Sequence, residues 1–105
     1  MNDLMRPSLY SSWHDVTAVK QTDTQEKTYE IVGPVCESAD SLAKDRILKI
    51  KEGSIVAIHD VGAYGYTMAS NYNSRLKPPE ILVDGSKVSL IKKRESFEEL
   101  ISLEE

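Results

Sequence analysis

The chain has 105 residues, of which 40% are hydrophobic and 29% charged, and its formal net charge is −4. That is enough for one domain with one modest core. The acidic balance argues against a nucleic-acid or anionic-membrane surface, which needs a basic patch; the single run Lys92-Lys93-Arg94 reads as a solvated strand end.

The chain has one cysteine, so it has no internal disulfide. That usage fits a reducing compartment, and a cytoplasmic location is expected. No apolar stretch approaches the roughly 18 residues of a membrane span. The first residues lack an apolar signal core, so secretion is not expected. One cysteine and the dispersed His14 and His59 do not make a metal site.

In chain order, residues 1–12 are a turn-rich entry in which Pro7 disfavours helix at Arg6 and one helical turn follows over Ser8 to Ser12. Trp13 to Lys20 alternates weakly and predicts a strand. Gln21 to Lys27 is a polar hairpin loop. Thr28 to Val32 predicts a second strand, stopped by Gly33-Pro34. Ser38 to Asp45 reads as loop, and Arg46 to Lys51 is ambiguous. Ser54 to His59 is nearly continuously apolar, which predicts a strand buried on both faces. From Ala63 to Ser70 the period changes. A short helix after Gly62 is expected there, with Tyr64, Met68 and Asn71 on one face and Asp60 near its positive end. Glu80 to Asp84 and Lys87 to Lys92 flank Gly85-Ser86, a hairpin signal. Ser96-Phe-Glu-Glu99 is a capping box and predicts a short terminal helix. The fold class is therefore mainly β, a small Greek-key barrel or sandwich with two or three short helices. The strand count is low for closure, so either a strand is missing or a partner covers an edge.

The stretch Gly33-Pro34-Val35-Cys36-Glu37-Ser38-Ala39-Asp40 places a thiol and a carboxylate just past a strand end, where a rigid scaffold presents reactive groups. Taken alone, a lone cysteine in a β protein is more often a small buried hydrophobe. A Cys36–His59 nucleophile pair has no support in the spacing, and structural histidines are the better reading.

Three motifs in this order go further. Met1-Asn2-Asp3-Leu4-Met5-Arg6-Pro7-Ser8-Leu9-Tyr10, the Cys36 stretch, and Asp60-Val61-Gly62-Ala63-Tyr64-Gly65-Tyr66-Thr67-Met68-Ala69-Ser70-Asn71-Tyr72-Asn73 resemble the C-terminal part of the diaminopimelate branch of the pyridoxal-phosphate decarboxylases. That family joins an N-terminal α/β barrel to a C-terminal β domain. The resemblance covers residues 1 to about 101, and Cys36-Glu37 separates this branch from ornithine-type enzymes, which carry Cys-Asp. It departs from the family at Ala39 for glycine, Leu76 for proline and Ser54 for aspartate.

The resemblance implies an organisation and a set of roles. Residues 1–12 would belong to the end of the barrel or interdomain region, 13–101 to the β domain and 102–105 to a tail. The α/β barrel, its Schiff-base lysine and its phosphate site are absent from these residues. Arg6 and Tyr10 would bind the carboxylate at the non-reacting end of meso-diaminopimelate, since the guanidinium fork matches a carboxylate. Glu37 would receive the distal ammonium. Cys36 would return a proton to the carbon that loses carbon dioxide; a thiol, with an ordinary pKa of about 8.5, holds that proton at neutral pH. Cys36 and Glu37 would act in the active site of the second subunit of a homodimer. Tyr64 would contact both substrate and pyridoxal phosphate, near the phosphate. The products would be L-lysine and carbon dioxide, and the chain alone would be inactive. Two alternatives stand beside this: a non-catalytic module that binds a full-length decarboxylase, and part of a related diamino-acid decarboxylase.

Overall fold

The computed structural model describes residues 2–104. Met1, the first residue of the resemblance, and Glu105, the last of the expected tail, lie outside the described residues. The chain runs through helix α1 (Arg6–Tyr10), strands β1 (Val16–Ala18), β2 (Lys27–Val32), β3 (Ser41–Leu48) and β4 (Val56–Ile58), two 3₁₀ turns (Tyr66–Met68 and Tyr72–Ser74), strands β5 (Glu80–Asp84) and β6 (Lys87–Lys92), and helix α2 (Phe97–Leu100). The strands pair antiparallel as β1–β4, β2–β3 and β5–β6, three two-stranded sheets that do not close into a barrel.

The core lies between the first two sheets. Val16, Ala43 and Leu48 are buried there, and Tyr29, Ile31, Ile50, Val56 and Ile58 pack against them. Ala43 and Leu48 are five residues apart on one strand, so a regular pleat would send them to opposite faces. A bulge brings them together. Tyr29 pairs with Arg46 but Ile31 pairs with Ala43, so three residue steps on β3 oppose two on β2. The extra residue restores the parity. Asp45 takes the left-handed conformation there (φ 54), which a short polar side chain tolerates. This corrects the reading of Ser38 to Asp45 as loop: β3 begins at Ser41, and the bulge breaks the alternation that would have announced it.

The expected strands over Trp13–Lys20 and Ser54–His59 meet each other. Beyond the β1–β4 ladder, Val19 N–H donates to the Ile55 carbonyl (3.0 Å) and His59 N–H to the Asp15 carbonyl (2.9 Å). β4 is half-buried and not enclosed on both faces, because its sheet has two strands and one packed side. The helix expected after Gly62 does not form. A hydrogen-bonded turn leads into two three-residue 3₁₀ turns, and Asn73 (φ 58) and Ser74 (φ 56) end any propagation. A segment with two glycines in its first turns does not repay helix nucleation. Helix α1 begins one residue-pair earlier than expected, with Pro7 in its first turn, where a missing N–H costs nothing.

The β5–β6 hairpin turns through Gly85 at φ +57, as its sequence predicts. Leu82, Val83, Val88, Leu90 and Ile91 on it are all more than half exposed, so neither hairpin face is covered. Helix α2 carries the predicted capping box, with the Ser96 hydroxyl accepting from Glu99 N–H (3.2 Å) and the Glu99 carboxylate accepting from Ser96 N–H (2.9 Å). The hydrogen bond from Lys93, then that from the Ser96 backbone, holds the Glu99 carboxyl below its usual range. A depressed carboxyl contributes stability above its unfolded pKa and loses it as pH falls through the folded value. Helix α2 is therefore expected to hold above about pH 5 and to fray on acidification below the ordinary glutamate range. An NMR titration of Glu99 with the α2 amides checks this; an ordinary Glu99 midpoint with undisturbed amides would contradict it.

Candidate functional site

The entry segment is tied to the domain at both ends. Asn2 is buried, and its amide donates to the carbonyls of Tyr72 (2.6 Å) and Ser70 (3.3 Å). Leu4 is also buried. These anchors hold α1 against the start of β3, where the Ser8 hydroxyl donates to the Ala39 carbonyl. Helix α1 thereby links two of the three resembling motifs to the third. Its Arg6 stacks on Tyr64, with the guanidinium carbon 4.7 Å from the ring centroid.

Arg6 has a long contact to the Ser12 hydroxyl (3.4 Å), and its Nε is buried without a hydrogen-bond partner. Tyr10, on the same helix, is exposed, as is Tyr64. The Tyr64 hydroxyl has no hydrogen bond among the described residues, so it is open to an outside group.

Cys36 and Glu37 lie on the loop between β2 and β3. The loop is closed at its base by Gly33 N–H donating to the Asp40 carbonyl (2.9 Å), and inside it by Asp40 N–H to the Glu37 carbonyl (3.1 Å) and Glu37 N–H to the Val35 carbonyl (2.9 Å). The Cys36 thiol is free and exposed, so the buried-hydrophobe reading does not describe it. Glu37 is half-buried, and its Oε1 is enclosed without a partner. Among the described residues, no hydrogen bond or ion pair joins Cys36 or Glu37 to Arg6, Tyr10 or Tyr64. The structure brings Arg6 to Tyr64 and α1 to the Cys36 loop, leaves the thiol exposed and half-buries Glu37.

His59 does not serve Cys36; its Nε2 pairs with the Thr17 hydroxyl (2.7 Å), while His14 is buried with its Nδ1 on the His59 carbonyl (3.0 Å). Among the described residues there is no group of three or more His, Cys, Asp or Glu that could hold a metal ion. A cavity of about 820 Å³ lies between α1 and β3 and is lined by none of the five predicted site residues. Arg46 on its wall stacks on Trp13 (4.5 Å), and its guanidinium donates to the His14 and Lys44 carbonyls, so its donors are already engaged. Asp40 is the residue that sequence reasoning quoted without giving it a role. It is 3% exposed and its Oδ2 accepts from Val35 N–H (2.8 Å). Its place in an otherwise surface-bound loop could have been signalled only by its spacing from Gly33.

Comparison with known proteins identifies the family. Residues 1–62 match the model of the C-terminal sheet domain of pyridoxal-dependent decarboxylases. The chain is 51% identical over 102 residues to a diaminopimelate decarboxylase of Pseudomonas fluorescens, covering 97% of this chain and 24% of that protein. It is 47% identical to one of Vibrio cholerae, covering 99% and 25%. Among solved structures, diaminopimelate decarboxylase of M. jannaschii in complex with L-lysine superposes with a TM-score of 0.91 at 40% identity, over 100% of this chain and 24% of that one. The Helicobacter pylori enzyme complexed with L-lysine gives 0.88 at 45%, over 99% and 26%. The chain thus spans about a quarter of the length of the relatives it matches. With the family model covering more than half of its residues, the chain belongs to the pyridoxal-dependent decarboxylases, as their C-terminal sheet domain.

Proposed function

We propose that the chain is the C-terminal portion of a diaminopimelate decarboxylase, which converts meso-diaminopimelate to L-lysine and carbon dioxide in lysine biosynthesis. The observation that carries this reading is a pair of enclosed, unpartnered atoms of opposite charge, Arg6 Nε and Glu37 Oε1. A buried polar atom without a partner costs about 1–3 kcal/mol, so each site is ready for a ligand group. The non-reacting end of meso-diaminopimelate carries both charges: a carboxylate for Arg6, with Tyr10 beside it on α1, and an ammonium for Glu37. A substrate lacking that end leaves both protein groups unpaired, which is a strong source of selectivity.

Pyridoxal phosphate, when bound, accepts the electron pair left by decarboxylation. This chain's residues fit a contact with it at Tyr64, whose hydroxyl is open and whose ring stacks with the Arg6 cation. Cys36 presents an exposed sulfur and is read as the proton donor to the reacting carbon. The exposure of the Cys36 thiol supports the use of this loop in the site of a second subunit. Residues 1–12 are read as the end of the barrel or interdomain region, followed by the β domain over 13–101 and a short tail over 102–105. A cytoplasmic homodimer is part of this reading, and among the described residues no helix is long and apolar enough to cross a membrane. The Schiff-base lysine is read as belonging to the family's barrel domain, so these 105 residues by themselves are expected to be inactive.

The test is decarboxylation of meso-diaminopimelate by this chain mixed with a separately made α/β-barrel half and pyridoxal phosphate. Activity in the mixture and in neither piece alone is the expected result. The uncovered β5–β6 hairpin favours a second reading, a non-catalytic module docking on a full-length decarboxylase. An inactive mixture of folded pieces, with capture of the full-length enzyme, would establish that reading instead. A better fit of the active mixture to a shorter diamino acid would assign a sister decarboxylase.

A further inference from the structure

We propose that Asp40 is the positioning residue of the site, and that its buried carboxylate sets where Cys36 and Glu37 point. The functional part of this inference rests on the decarboxylase reading above; the structural part does not. Three hydrogen bonds of the 33–40 loop pass through Asp40, beside the one from Glu37 N–H to the Val35 carbonyl. The Asp40 carbonyl accepts from Gly33 N–H, the Asp40 N–H donates to the Glu37 carbonyl, and Asp40 Oδ2 reaches across five residues to Val35 N–H. The carboxylate therefore holds the residue immediately before Cys36, while the Asp40 backbone holds the residue immediately after it. The Ser8 hydroxyl fixes the adjacent Ala39 carbonyl and so ties the same point to α1, the helix that carries Arg6 and Tyr10. The bond from Val35 N–H to Asp40 Oδ2 spans five residues of a short loop with little packing of its own.

Gly33 shows how closely the carboxylate is seated. A Cβ at Gly33 would lie 2.2 Å from Asp40 Oδ2 and 2.5 Å from its Cγ. The site therefore pairs a residue without a side chain with a carboxylate filling the space, and the fixed strand end before Gly33 becomes the reference for the loop. Asp40 touches no reacting atom in this account. It acts through the backbone on either side of the thiol.

Amide hydrogen exchange of the 105-residue chain tests this. Asp40→Ala should speed exchange at Val35 and Glu37 about tenfold or more while the β5–β6 amides keep the parent rates. Asp40→Asn keeps an acceptor oxygen of the same shape and should stay within about threefold of the parent at Val35. If Asp40→Ala unfolds the chain, Gly33→Ala decides: its Cβ displaces the carboxylate, so parent-like Val35 exchange in that folded variant would overturn the proposal. Unchanged Val35 exchange in a folded Asp40→Ala chain would also overturn it. In the active mixture with the barrel half, Asp40→Ala should lower kcat and raise KM together, with both restored by Asp40→Asn. Loosening of the loop by Asp40→Ala in a system where even the unaltered chain supports no decarboxylation would uphold the positioning role and reject the decarboxylase reading.

Discussion

Replacing Cys36 with alanine is expected to lower kcat of the assembled decarboxylase by about 10²–10⁴-fold, the range for loss of a positioned proton donor. KM for meso-diaminopimelate should change little, because the distal contacts assigned to Arg6, Tyr10 and Glu37 remain. The thiol is exposed, so its truncation leaves no cavity and the melting of the chain should stay within about 0.5 kcal/mol of the parent. A fall in kcat and kcat/KM together, with KM held, is the signature of a group that acts in the transition state. Steady-state kinetics on the mixture decide it. Parent-like kcat would make Cys36 a bystander and leave protonation to the barrel half or to water.

Leu48→Ala should have the largest effect on stability. Leu48 is one of three buried residues in the cluster between β1–β4 and β2–β3, and it closes β3 opposite Lys27. Burial of so few side chains leaves no redundancy. A leucine-to-alanine change in a packed core costs about 2–5 kcal/mol, against a total of about 5–15 kcal/mol for ordinary domains. Thermal or urea unfolding should show a large loss for Leu48→Ala and a small one for Ile47→Ala, its exposed neighbour across the pleat. Equal losses at the two positions would mean that the bulge does not set the facing of β3.

The elements legible in the residues are those whose signals are local. The Gly85-Ser86 hairpin needs only a turn residue between two β-prone runs, and the α2 capping box needs only Ser96 and Glu99 three apart. β2 stops at Gly33-Pro34 because proline and glycine act on their immediate neighbours. β3 was hidden because its bulge changes the facing of side chains midway, so no single period describes it. The 62–74 segment carries helical spacing in Tyr64, Met68 and Asn71, yet two glycines and the tethers from Asn2 to the carbonyls of Ser70 and Tyr72 hold it in turns.

The candidate site divides in the same way. Cys36, Glu37, Arg6, Tyr10 and Tyr64 could be singled out from motif and residue type, since a thiol, a carboxylate and a guanidinium announce their chemistry wherever they stand. Their relation could not. Arg6 and Tyr64 are 58 residues apart in sequence, and only the docking of α1 places the guanidinium on the ring. Asp40 is one acidic residue among many until folding buries it against Gly33 and aims it at Val35 N–H. Residue chemistry and turn signals are properties of short stretches and survive in the linear chain. Burial, stacking and the enclosure of unpartnered atoms arise when distant stretches exclude water together, and those were decided by the tertiary structure.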